Sequence, residues 1–222
     1  MTLPRTDTAE PRSSADLLTT LVRNEGSAAH PLLLSRMLLD GPAAARNFAD
    51  AVHYLTELHG RHPGVIDYAT ERERHPAAQG WLQEAAIGFA QERAALTQMV
   101  VAAGPLPSTP GQAESEAAVL QQAHALDMLA QSDRHGTALG AALALALDWK
   151  AIRSVLDAAS ARLGMHLPAC ALPDERETRA VTLAVADTSR IERAIGFGAR
   201  QMLAQHRGLW DLLDARRAAR GA

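Results

Sequence analysis

The sequence predicts an all-α protein, an antiparallel bundle of five to six main helices. Three observations carry this. Apolar residues make up 47% of the 222 residues and aromatics only 4%, and alanine dominates the apolar fraction; that is the make-up of closely packed helices, not of sheets. Long segments with helical spacing of their apolar residues are separated by glycine and proline. No hairpin signal and no repeat of fixed period occurs.

Residues 1–13 are polar and proline-containing and are expected to be a disordered tail, with residues 14–222 forming a single helical domain. The tail lacks an apolar core segment, so no secretory signal is expected. Ser13 or Ser14 caps a first helix, "ADLLTTLVRN", which Gly26 ends. A helix follows in "HPLLLSRMLLD", with Pro31 in its first turn and Gly41 as its stop. "PAAARNFADAVHYLTELH" runs to the break "GRHPG", and "VIDYATERER" ends near Pro76. The long helix "AQGWLQEAAIGFAQERAALTQMVVAA" ends in a connector over Gly104 to Gly111, expected to be ordered and exposed. "QAESEAAVLQQAHALDMLAQ" comes next. "TALGAALALALDWKAIRSVLDAASARL" then runs to Gly164, and its apolar start marks a central helix with Leu143 and Leu147 fully buried. The last helix spans about Glu175 to Arg217, interrupted near Asp187 to Ser189 or at "GFG", which reads as a close helix contact.

Composition also bounds function. A net charge of −3 and no basic face argue against a nucleic-acid binder. The late cluster Arg216, Arg217 and Arg220 is the one basic concentration and sits where a helix C-terminus favours cations, a placement that needs no functional role. The longest apolar run, Thr137 to Trp149, is too short to span a membrane. A cytoplasmic protein with no nucleic-acid or membrane partner is expected. Cys170 is the single cysteine, which rules out an intramolecular disulfide framework. No GxSxG, phosphate loop, GxGxxG, HExxH or CxxC signature is present.

Chemistry enters where ionisable groups fall on apolar faces. In "WLQEAAIGFAQERAALTQM", Trp81, Ala85, Gly88, Ala95, Leu96 and Met99 share one face, with Glu92 in its middle. In the following helix, Val119, Leu120, Ala123 and Ala130 define an arc that contains Glu116, His124 and Asp127. Phe48, Val52 and Leu55 are continued by His59, and His206 sits in the stripe Ile195, Ala199, Met202, Leu203, Leu209, Trp210, Leu213. Burying such groups unpaired costs several kcal/mol each, so they must pair, neutralise or bind something. Glu92 lies 12 residues before Gly104 and His124 lies 13 after Gly111. The eight-residue connector is expected to make the two helices antiparallel neighbours, so Glu92 and His124 share a layer and face each other within hydrogen-bond or shared-ligand reach.

The plan resembles ferritin-like and haem-oxygenase-like bundles, whose facing carboxylates and histidines bind a di-iron or di-manganese centre. The residues that would carry the likeness are Glu92, Glu116 and His124, with His59 or His206; the nearest forms of the family's Glu-x-x-His pair are His124-x-x-Asp127 and His59-x-x-His62. The phrases "HPGVID", "GPLPSTPGQAESE", "ALGAALALALDW" and "LAQHRGLWDLL" resemble those of an uncharacterised alphaproteobacterial all-helical family of unknown function.

Two readings stay open. In the first, Glu92, His124, Asp127, Glu116, His206 and His59 supply ligands for a divalent metal such as iron or manganese, or for a small ligand, in an oxidase-like protein. In the second, the chain is a non-enzymatic adaptor or oligomerisation module, a homo-oligomer or the partner of another protein, and its polar seam only fixes helix register.

Overall fold

Ser13 accepts a hydrogen bond from the Asp16 amide and so starts the first helix, α1 (Ser14–Glu25), which Gly26 closes. The computed structural model describes residues 13–35 and 37–220, so the rest of the expected N-terminal tail lies outside the described residues. A 3-10 turn over Ser27–Ala29 leads to α2 (Pro31–Leu34). This helix is shorter than the sequence predicts. The Ser35 hydroxyl donates to the Leu32 carbonyl at 3.1 Å, a local bond that competes with further helical turns.

Next come α3 (Ala44–His59), α4 (Val65–Arg72), α5 (Pro76–Ala103), α6 (Gln112–Ala130) and α7 (Thr137–Arg162). The expected last helix is two: α8 (Glu175–Val185) opens with a capping box between Asp174 and Glu177, and α9 (Ser189–Ala219) opens on Thr188. The break falls at 186–188, and "GFG" lies inside α9. No strand occurs among the described residues, and none of the described helices is long and apolar enough to cross a membrane.

α7 is the central element. It packs on α1, α3, α4, α6, α8 and α9, and Leu139 through Ala146 are all buried. Leu143 is fully buried as expected, but Leu147 is only half-buried, because the apolar ring ends one turn earlier than the run of leucines suggests. The tightest seam is α7 on α9. A Cβ on Gly140 would lie 2.1 Å from the Ile195 carbonyl oxygen, and one on Gly198 would lie 2.0 Å from that of Thr137. Only glycine permits this approach, so the expected close contact at "GFG" is made by Gly198. The pairs Gly140 with Ile195 and Asp148 with His206 show that α7 and α9 run in the same direction. α3 runs opposite to α9, Asn47 meeting Arg220 and His59 meeting His206.

One packing relation departs from the sequence reading. α5 and α6 are successive but do not form a packed pair; each packs on α3 and α4. The connector steps across rather than folding straight back. It is pinned where His53 bonds the Gly104 carbonyl at 2.8 Å and where Arg216 donates to the Pro107 carbonyl at 3.1 Å.

Candidate functional site

The inward side chains of α3, α7 and α9 meet in a chain of buried polar groups. The Asp148 carboxylate accepts the Ser27 amide at 2.7 Å, the Ser27 hydroxyl at 2.6 Å and His206 Nδ1 at 2.6 Å. The Ser27 hydroxyl in turn accepts the Trp210 indole N–H at 2.8 Å. On its far side, His206 Nε2 stands 2.9 Å from His59 Nε2. A carboxylate only accepts, so His206 must donate from Nδ1. One of the two facing Nε2 atoms then donates and the other accepts, and the imidazoles share one proton between them.

Burial, and after it the neighbouring His206, pushes the His59 pKa well below its ordinary value. His59 is held neutral by its surroundings: the Trp149 ring lies edge-on at 5.5 Å and Phe89 at 6.1 Å. Its outer edge reaches a cleft of about 20 Å³ lined also by Asp127, Phe89 and Leu145. That is room for one water and for no substrate.

Beyond Trp149 lies a second group. Glu92 accepts the Trp149 indole N–H at 2.9 Å on one oxygen and Arg153 at 2.5 Å on the other. Arg153 also donates to Asp157 at 2.8 Å and to the Pro168 carbonyl, tying down the loop before α8. In a third group, Asp67 of α4 takes a two-pronged contact from Arg93 of α5 at 2.9 and 3.2 Å, and accepts the Gly64 amide at 2.8 Å.

The fourth group shows what the C-terminal arginines do besides facing the end of their helix. Arg216 is 2% exposed and donates to Asp50 at 3.0 Å; Arg220 donates to the same carboxylate at 2.5 Å and to Asn47 at 2.6 Å. Arg216 continues the buried stripe of α9, and a carboxylate on α3 waits beneath it. Arg216 and Arg220 are thus tied into the core, whereas Arg217 pairs locally with Asp214.

Of the six residues expected to converge, three are buried: Glu92, His59 and His206. His59 and His206 touch, Asp127 is half-buried beside His59, and Glu92 is committed to Arg153 and Trp149. His124 and Glu116 are exposed, and Gln112 donates to Glu116 at 2.8 Å. The expected Glu92–His124 layer is therefore absent. Two causes combine: α3 and α4 take the space between α5 and α6, and the buried face of α6 runs through Ser115, Val119, Ala123, Leu126 and Leu129. Leu120, placed in the arc by the sequence, is 49% exposed.

Donor chemistry gives a separate test of the metal reading. Both Glu92 oxygens are taken, and no group of three or more His, Cys, Asp or Glu able to hold an ion occurs among the described residues. The side chains present do not fit the dinuclear centre that the architectural resemblance implies.

A family model of unknown function matches residues 22–221, which include every member of the four buried groups. The chain belongs to DUF6975. No curated protein and no solved structure matches it. In this DUF6975 chain the sequence reading passed over Asp148, Ser27, Arg153, Asp50 and Asp67. Asp148 had a signal, a lone carboxylate closing an apolar run directly before Trp149. Ser27 had none, since it acts from a turn where no periodicity exists.

Proposed function

We propose that this protein is a non-catalytic adaptor or oligomerisation module whose buried charge groups set helix register. The observation that supports this is that each buried carboxylate, Asp50, Asp67, Glu92 and Asp148, ends on an arginine or histidine of the same chain. Such pairs contribute little net stability against an apolar core, yet breaking one costs about 3–5 kcal/mol. They act as registers. Sliding α7 by one turn, about 5.4 Å, would part Arg153 from Glu92 and Asp148 from His206 together.

Exposed apolar side chains on α6 and α9 support the same reading. Leu120 and Met128 of α6 and Phe197 of α9 are 49%, 64% and 44% exposed. Elemental analysis of the purified full-length protein, with thermal unfolding in the presence and absence of chelator, tests the reading. The expected result is no stoichiometric metal and unchanged unfolding. One tightly held ion per chain, with unfolding shifted by chelator, contradicts it.

A further inference from the structure

Between α1 and α9 lies a groove of about 430 Å³, within the size range of small-molecule sites. Its floor is apolar: Leu17, Leu18 and Leu21 on α1 and Ile195 on α9, with Leu17 left 45% exposed. The same two helices are linked by hydrogen bonds towards both ends of the groove. At one end the Ser14 hydroxyl donates to Glu192 at 3.1 Å; at the other Arg207 donates to the Glu25 carbonyl at 2.9 Å. A groove of this volume suits a short ligand.

The rim carries the polar half of the site. Arg193 and Arg200 line the groove two turns apart on α9, and neither makes an ion pair or hydrogen bond among the described residues. The rim carboxylates are engaged, Glu192 by Ser14 and Glu25 facing Arg207 at 3.9 Å. Arg200 bends back over the floor: its Nη2 stands 3.6 Å from where a Cβ on Gly196 would be. A guanidinium free of partners above an apolar floor matches an anion carried on a hydrocarbon chain.

We infer that this groove binds a single-chain aliphatic carboxylate, its chain along Leu17, Leu18, Leu21 and Ile195 and its carboxylate on Arg200 and Arg193. The inference goes beyond the adaptor reading and adds a ligand to it. Amide NMR of nitrogen-15-labelled full-length protein, titrated with decanoate below its micelle concentration, tests it. Saturable shifts are expected at Leu17, Leu21, Gly196 and Arg200. Arg193→Ala combined with Arg200→Ala should weaken binding about ten-fold or more, the scale of one lost charged contact, and decanol should bind correspondingly less well. Both arginines are exposed, so the variant should fold, which its unfolding temperature checks; Leu17→Glu gives a second variant, expected to abolish binding. No saturable shift, shifts outside the groove, equal binding of decanol, indifference to both variants, or binding of an acidic amphipathic peptide but not decanoate would each overturn it. Such a failure leaves metal content and chelator-independent unfolding as they were, so the adaptor reading stands or falls separately.

Discussion

His59 and His206 meet Nε2 to Nε2 at 2.9 Å in the centre of the bundle, and Asp148 anchors the pair from below at 2.6 Å. The three residues come from three helices that are distant in sequence, so their contact reports the assembly of α3, α7 and α9 directly.

The pair makes stability sensitive to acid. Folded His59 titrates well below the ordinary 6.5, so between those values the unfolded chain binds a proton that the folded chain refuses. The stabilisation is fully present above about pH 6.5 and is lost as the pH falls. Urea unfolding across pH should show declining stability below that point, with a shallower decline in His59→Gln. A flat profile in the parent protein would show that His59 is protonated without cost.

Glycines on α7 and α5 should respond with opposite signs. Gly140→Ala gains about 1 kcal/mol of helix propensity, but its methyl would stand 2.1 Å from the Ile195 carbonyl oxygen. Overpacking of this kind costs about 1–3 kcal/mol or more, and with backbone as the obstacle it wins. Gly80→Ala meets nothing within 4 Å and should stabilise by up to about 1 kcal/mol. Thermal unfolding of the two variants decides it; equal signs would contradict the close α7–α9 seam.

Leu143→Ala should cost about 2–5 kcal/mol, because Leu143 is fully enclosed on the central helix. Leu147→Ala should cost clearly less, since that side chain is half-buried. Denaturant midpoints that rank the two the other way would move the centre of the core.

Faces marked by large side chains were legible in the sequence. Trp81, Leu96 and Met99 on α5, Phe48 and Leu55 on α3, and Met202, Leu209 and Trp210 on α9 each lie where periodicity puts them, and so do Glu92, His59 and His206 among them. α6 was not legible. Its alanines spread around the helix and weaken the apolar contrast, so the face was placed around Leu120 when Ser115 and Leu126 define it. Nor could spacing along the chain show that α3 and α4 would enter between α5 and α6, because that is a choice of tertiary packing. The partners of the buried charges were missed for a related reason. An arginine such as Arg216 has a long apolar stem and a charged head, and only the carboxylate beneath it decides between core and solvent.

The central claim is that each buried carboxylate is paired with a cation or histidine of its own chain, and the Glu92–Arg153 pair, 2.5 Å apart and buried on both sides, tests it most directly. The measurement is a double-mutant cycle by urea unfolding, with and without chelator, on Glu92→Met, Arg153→Met and the two combined. The account predicts a loss of about 3–5 kcal/mol for each single variant, a much smaller loss for the combination than their sum, and no effect of chelator. Additive losses, or a parent protein weakened by chelator while Glu92→Met is not, would contradict it.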